Sequence, residues 1–170
     1  TKGIDAVAHY RLHAGENTFD LTLAGNVNDV KVTKVPTSTS VLDPAPTLFA
    51  RSRILTIEQG TPGEKVTGSV DWSNGPLGAT LRATYYGDVL QAGTTAANDY
   101  NTGAHTITDL ELRYQPAKGA QVAIGASNLF DVYPHKVPAA LNSTGVLGFP
   151  YYSPFGFNGR YLYVRAGFNW

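Results

Sequence analysis

Two carboxylates in the sequence stand at a spacing that could support acid–base chemistry. Asp109 and Glu111 alternate with apolar residues. In an extended strand this spacing places both side chains on one face, roughly 7 Å apart. Two carboxylates at a defined separation hydrolyse glycosides, so a hydrolytic site is one interpretation. No other catalytic signature accompanies the pair, and the pattern favours the alternative, in which solvated charges pair across strands.

The other charged residues and the histidines also favour solvated side chains over a catalytic or metal site. The charges that we expect to face a wet interior are Asp71, Arg82, Asp109, Glu111, Arg113 and Arg165. The histidines are His9, His13, His105 and His135. They lie in different segments and lack the spacing of a metal site. We therefore predict hydrated histidines, and no catalytic residue, cofactor-binding residue or metal ligand.

These charges belong to segments in which apolar and polar residues alternate. Seven windows show the alternation, and the 3.6-residue spacing of an amphipathic helix is almost absent. The windows span residues 3–12, 18–27, 64–72, 77–87, 105–114, 119–129 and 160–170. Each has roughly the 9 to 11 residues that a tilted strand needs to cross a bilayer. The sequence predicts an all-β, antiparallel, up-and-down fold.

Apart from Glu64 and Arg160, the first residues of two windows, one set of alternating side chains in the windows carries no charge. A soluble barrel with an apolar core would give the same division, so alternation alone does not decide which face is outside. The connections favour a membrane, because tight ones alternate with long ones over about 28–63, 88–104 and 131–159. Aromatic residues of the charge-free face also gather beside the tight connections, as at a membrane interface. We therefore predict a transmembrane β-barrel.

The first and longest connection has two parts. Residues 37–46 are rich in Ser, Thr and Pro and are expected to be an exposed loop. Residues 48–59 form a less regular apolar run, which suggests a helical turn or a short strand.

Composition and strand number restrict the possible classes further. The 13 basic and 13 acidic residues cancel, so a nucleic-acid partner is disfavoured. The absence of Cys excludes disulfides and thiolate sites. Bacterial barrels ordinarily have an even number of strands, and an open seven-stranded sheet leaves unpaired edges in lipid. We expect residues 1–170 to be the C-terminal portion of a larger barrel.

Two segments near the end of the chain resemble a known family. The first ends the sixth window, and the second precedes the last window. Their residues are Asn128, Leu129, Phe130 and Asp131, then Ser153, Pro154, Phe155, Gly156, Asn158, Gly159 and Arg160. In this order, and followed by a strand that ends in Phe-Asn-Trp, they resemble the C-terminal region of TonB-dependent outer-membrane receptors. The resemblance extends over essentially the whole chain and is densest after residue 106.

The resemblance implies a function and a set of partners. Such receptors are 22-stranded barrels occluded by an N-terminal plug, and they import a scarce nutrient with energy from the TonB complex. The nutrient is of the ferric siderophore, haem, cobalamin or saccharide class. This chain would supply about seven C-terminal strands of a barrel in the bacterial outer membrane, and the plug and N-terminal strands would lie outside these residues.

The partners expected from the resemblance are membrane lipid, the plug and the other strands, the TonB complex through the plug, and a small nutrient ligand. A non-enzymatic role without a cofactor is expected. A soluble ligand-binding β-barrel and another outer-membrane barrel, such as a porin, remain as alternatives.

Aromatic residues receive two further assignments. Four near the end resemble the signal read by the outer-membrane assembly machinery: Tyr161, Tyr163, Phe168 and Trp170. The alternative, which is compatible with this role, is that Phe168 and Trp170 are simply interface anchors. Four in the long connections are candidate ligand contacts, although tyrosines there also pack loop ends: Tyr86, Tyr100, Tyr151 and Tyr152. Asn128 and Asp131 are expected to stabilise turns.

Overall fold

A computed structural model of the chain describes residues 1–35, 49–142, 145 and 148–169. Seven long strands dominate these residues. They are β1 (Lys2–Ala14), β2 (Asn17–Asp29), β3 (Glu64–Asn74), β4 (Leu77–Tyr86), β7 (His105–Ala117), β8 (Ala120–Ser127) and β9 (Tyr161–Phe168). Two short strands, β5 (Leu90–Gln91) and β6 (Tyr100–Asn101), pair in the connection after β4. Each window of the sequence analysis thus overlaps one long strand over most of its length.

The long strands form one antiparallel sheet. Its order is β1-β2-β3-β4-β7-β8-β9, so each strand pairs with its sequence neighbours in an up-and-down meander. The prediction of an all-β antiparallel fold is confirmed. Within the described residues, β1 and β9 are edges that do not pair with each other, and the sheet is open. A closed barrel is not observed.

The register joins the predicted faces across the whole sheet. Leu21 of β2 is opposite Tyr10 of β1 and Val70 of β3. Val70 is opposite Leu81 of β4, which is opposite Leu110 of β7. This apolar face consists of the side chains that alternate in register with Leu81. The opposite side, the polar face, consists of those that alternate with Arg82.

The apolar face is exposed. Ile4 and Val164 are each 73% exposed, and Ile124 is 58% exposed. Fully buried apolar side chains among the described residues are few and small, such as Val89 and Ala123. A contiguous apolar surface of this kind is unfavourable in water. Such a face requires an apolar environment or a covering partner.

Tight turns lie at one end of the sheet. Gly15, Gly75 and Gly119 connect β1 to β2, β3 to β4 and β7 to β8. Their φ values of 61°, 53° and 84° belong to the left-handed region, where glycine has no Cβ penalty. Because consecutive strands alternate in direction, the three long connections lie at the opposite end. The two ends of the sheet therefore differ: one carries only tight turns, and the other carries the long connections.

Aromatic residues of the apolar face lie beside these turns. Trp72 is opposite Phe19, and its indole Nε1 donates to Asn17 Oδ1 at 2.9 Å. Tyr114 is opposite Leu77 and Phe168 is opposite Ala120, each the first residue after a tight turn. Tyr114 and Phe168 are 50% and 63% exposed. Trp170 lies outside the described residues.

One α-helix, α1 (Arg51–Gln59), lies in the connection between β2 and β3. It agrees with the helical alternative predicted over residues 48–59, of which Leu48 lies outside the described residues. The loop expected at 37–46 also lies outside them. No helix in the described part of the chain is both long enough and apolar enough to cross a membrane.

Candidate functional site

The polar face carries a hydrogen-bonded cluster around Glu111, whose side chain is only 14% exposed. The hydroxyl of Tyr163 donates to Glu111 Oε2 at 2.9 Å. Arg165 Nη2 lies 3.0 Å from both carboxylate oxygens, and Arg113 Nη1 lies 3.6 Å from Oε1. Two guanidinium groups and a hydroxyl therefore surround this one carboxylate.

The cluster continues through Arg113 to β4 and to β3, the next strand beyond it. Arg113 Nη2 donates to Asp71 Oδ2 at 2.8 Å, and Nη1 donates to Thr80 Oγ1 at 2.5 Å. Thr80 in turn donates to the same Asp71 oxygen at 2.5 Å. The Glu111 network, defined as residues 71, 80, 111, 113, 163 and 165, thus links β3, β4, β7 and β9. Hydrogen bonds in which one or both groups are charged, as here, are stronger than those between neutral groups.

Asp109, the second predicted carboxylate, has a separate role. Its Oδ1 accepts the backbone N–H of Asn128 at 2.9 Å. Arg82 is opposite Asp109 in the register but makes no ion pair with it. The sequence brings the six predicted charges to one face, and Glu111 and Asp109 are both engaged by protein donors. This geometry favours structural pairing over a catalytic pair.

A polar pocket of about 320 Å³ lies on this face. Its lining includes Thr80, Arg82, Asp109, Glu111, Tyr163 and Arg165. A more open groove of about 440 Å³ crosses β1 to β4 on the apolar face, where Ala8, Gly68 and Ala83 lie between larger side chains. The chemistry of the two differs, because only the polar pocket offers charged donors and acceptors.

The first family-like segment forms a tight turn after β8. Asn128 has a φ of 52° and is buried, and Asp131 has a φ of 59°. The Asn128 side chain accepts from Val132 N at 2.9 Å and donates to Val132 O at 2.7 Å. Asn and Asp adopt this backbone conformation more readily than other residues that carry a Cβ. Their placement agrees with the turn-stabilising role that we expected.

The second family-like segment meets the first. Asp131 Oδ1 accepts the backbone N–H of Arg160 at 2.7 Å, and Arg160 Nη1 donates to Leu129 O at 3.3 Å. Gly159 has a φ of 72°, and a Cβ there would lie 2.7 Å from Asp131 Oδ1. Ser153 closes the preceding turn by accepting from Gly156 N at 3.3 Å. Together these contacts hold the start of β9 against the end of β8.

An ion pair joins the first and second long connections. Arg51 on α1 binds both carboxylate oxygens of Asp99, and Asp99 Oδ1 also accepts from Gly93 N at 3.0 Å. The hydrogen bonds from Arg51 hold the pKa of Asp99 below its usual range, and Asp99 raises the pKa of Arg51. Sequence reasoning missed this pair, because nothing local marks two residues 48 positions apart as partners.

Most aromatic side chains of the long connections pack against one another. The Tyr86 ring lies 5.8 Å from Phe155, with Lys65 Nζ 5.0 Å above it. Phe149 stacks between Tyr133 and Phe157, at centroid distances of 5.4 and 6.0 Å.

The candidate ligand tyrosines differ in exposure. Tyr86 is packed as described. The hydroxyl of Tyr100 is buried without a hydrogen-bond partner in the described structure, and burial raises its pKa. Tyr151 and Tyr152 are 76% and 43% exposed. Only the last two present a large part of their surface to a ligand.

The aromatic residues near the end of the chain lie on different faces. Tyr161 and Tyr163 stack at 6.1 Å on the polar face, whereas Phe168 is on the apolar face. Of the described members of this set, Phe168 alone is placed as an anchor on the apolar face. Trp170 lies outside the described residues, and the assembly role stays a prediction.

The described residues contain no group of three or more His, Asp or Glu side chains that could hold a metal ion. His105 and His135, which the sequence analysis treats as isolated, are in ring contact at 5.2 Å. The pairing is a correction: two of the four histidines meet, because the connections that carry them pack together.

Comparisons with known proteins show similarity only at the level of solved structures. No family model matches the sequence, and no curated protein matches it. The chain is similar to three mutant forms of the ferric enterobactin receptor PfeA of Pseudomonas aeruginosa, one of them in complex with enterobactin. Each is 14% identical, over 95% of this chain, with TM-scores of 0.49, 0.49 and 0.46. The chain spans 30% of the length of those receptors.

Proposed function

We propose that this chain forms about seven C-terminal strands of a TonB-dependent receptor barrel that imports a scarce nutrient across a bacterial outer membrane. The observation that carries the proposal is the continuous, exposed apolar face of a seven-stranded meander, opposite a polar face that holds the charges. The tight turns at one end and long connections at the other fit the same architecture. The family-like segments around Asn128 and Gly159 support the more specific assignment.

The dimensions of the apolar face suit a bilayer. From Ile4 to Leu12, its side chains extend over roughly 27 Å of strand, or about 21 Å in height at a tilt near 40°. This is close to the apolar band of outer-membrane barrels. Beyond the band, at the end with the long connections, the same side carries the charged residues Lys2, Asp29 and Glu64. In the register Lys2 is opposite Asp29, and Glu64 is opposite Val27.

The open sheet supports the membrane proposal over a soluble seven-stranded barrel. A soluble barrel would bury this apolar face by pairing β1 with β9, and these strands do not pair in the described structure. In a larger barrel both edges would pair with other strands, which removes unsatisfied backbone groups from lipid. The plug, the TonB complex and a ligand of the ferric siderophore, haem, cobalamin or saccharide class belong to that whole receptor.

Matched tryptophan variants test which face meets lipid. Trp72, Trp170 and any tryptophan elsewhere in the intact protein are replaced with Phe, and the protein is reconstituted in vesicles of brominated phosphatidylcholine. Leu23 and Thr22 are neighbours at the same depth of β2, on the apolar and the polar face respectively. We expect strong quenching of the introduced indole in Leu23→Trp and weak quenching in Thr22→Trp, because bromine on acyl chains quenches only by contact.

Equal quenching in the two variants, or stronger quenching in Thr22→Trp, contradicts the assignment of faces. A monomeric protein that stays soluble without detergent also contradicts it and supports the soluble barrel. To separate a receptor from a porin, the coding sequence before Thr1 is read. A plug domain there supports the receptor, and strands without a plug support a porin.

A further inference from the structure

Thr102 is the point at which the second and third long connections meet. It is fully buried. Its Oγ1 accepts from Val89 N at 3.0 Å, and its own N–H donates to Val89 O at 2.9 Å. The Thr102 carbonyl lies 3.2 Å from His105 Nε2 and accepts from the backbone N–H of His135, also at 3.2 Å. One carbonyl therefore binds the start of β7 and the connection that follows β8.

The imidazole rings complete this junction. The rings of His105 and His135 lie 5.2 Å apart and meet edge to face at 82°. The neighbouring Gly103 has a φ of 76°, and a Cβ there would lie 2.5 Å from His135 Cε1. Glycine thus leaves the space that the His135 ring fills. The ring of Phe155 also packs against that of His105, with the ring centroids 5.5 Å apart.

Positive charge added by protonation of the two imidazoles would not be neutralised by an ion-paired carboxylate. No carboxylate of the described residues forms an ion pair with either imidazole. Next to His105 in the register lies Tyr86 of β4, and next to Tyr86 lies Lys65 of β3. Lys136 follows His135 in the chain. Along the register, the titratable groups of β4 and β3 in line with His105 are therefore the Tyr86 phenol and the Lys65 amine.

We propose that His105 and His135 form an acid-sensitive latch, which holds the second and third long connections together at neutral pH and releases them when both imidazoles are protonated. Histidine is the side chain that ordinarily changes charge between about pH 5 and pH 8. Neutral rings favour the edge-to-face contact, whereas two adjacent imidazolium cations repel each other. The latch depends only on the geometry of the connections and goes beyond the proposed transport function.

Spin labels on the intact protein test the latch. Residues 1–170 contain no cysteine, so once any cysteine elsewhere in the intact protein is replaced with Ser, Ala97→Cys and Ala139→Cys give specific labels on exposed positions of the second and third connections. We expect one short distance at about pH 7.5. At about pH 5 the ratio of open to closed populations should rise on the order of tenfold, since like charges this close near a surface repel strongly.

Two variants and a control assign the response. His135→Phe keeps an aromatic ring without a titratable charge, and it should retain the short distance at both pH values. His9→Gln, on the polar face of β1, should leave the response unchanged. His105→Gln, which keeps an N–H donor for the Thr102 carbonyl, provides a second test if phenylalanine alters the distance at neutral pH. An unchanged distance in the parent at about pH 5, or a full response in either His135→Phe or His105→Gln, overturns the proposal.

Discussion

The two faces of the sheet use the same strands and the same register, but they are stabilised in different ways. On the polar face, Glu111, Arg113 and Asp71 bind partners that lie two strands away in the sheet. On the apolar face, Leu23, Leu81 and Ile124 offer only hydrocarbon to their surroundings. The difference shows that the polar face carries its own partners, whereas the stability of the apolar face depends on the medium around it.

The largest expected effect on this contrast comes from placing a charge on each face of β8 in turn. In the protein reconstituted in lipid, Ile124→Arg should lower the free energy of unfolding by about 2 to 4 kcal/mol, as expected for arginine facing the middle of a bilayer. Gln121→Arg, on the polar face of the same strand, should change it by less than about 0.5 kcal/mol. Urea unfolding measures both. Equal losses would mean that the faces do not meet different media.

The second test removes the charge at the centre of the polar network. Glu111→Gln leaves Arg113 and Arg165 without their shared carboxylate, and we expect a loss of about 1 to 3 kcal/mol. Because Arg165 is 63% exposed, screening by water places the loss toward the lower end of that range.

The control for Glu111→Gln is Glu16→Gln in an exposed tight turn, which should be close to neutral. Urea unfolding in micelles measures the difference between the two variants. No measurable difference would mean that the Glu111 network adds nothing to stability.

The smallest expected effect concerns the ion pair of the connections, outside both faces. Since Arg51 lowers the pKa of Asp99, the contribution of the pair is present at neutral pH and is lost as the pH falls through the lowered pKa, below about pH 4. Spin labels at Gln59→Cys and Ala97→Cys should separate only in that range, and Asp99→Asn should separate them at neutral pH. Separation near pH 6 would instead implicate the histidines.

The faces and strands could be predicted from the sequence because they depend on local alternation. Two-residue periodicity places Leu81 and Arg82 on opposite sides whatever the strands pair with. The turn residues Gly75 and Asn128 can also be predicted, because Gly and Asn are the residue types that favour turns. The same parity places Tyr161 and Tyr163 beside Arg165 on the polar face, so alternation contained the signal that separates them from Phe168.

The connections could not be predicted in this way. The contacts of Arg51 with Asp99, of His135 with Thr102 and of Asp131 with Arg160 join residues far apart in the chain without any repeating pattern. Such contacts depend on how irregular segments pack over the end of the sheet. The third long connection therefore brings together two family-like segments whose order, but not their contact, is visible in the sequence.

The glycine turns also have a consequence for the order in which this sheet forms. Each two-residue turn allows β1 with β2, β3 with β4, and β7 with β8 to pair as a local hairpin, with little loop-closure entropy to overcome. Pairing between the hairpins must close residues 30–63 and 87–104, and the pairing of β8 with β9 must close 128–160. Contacts of high sequence separation form slowly. Three hairpins should therefore precede the complete sheet, and the rate of assembly should respond to the lengths of the long connections far more than to the strands themselves.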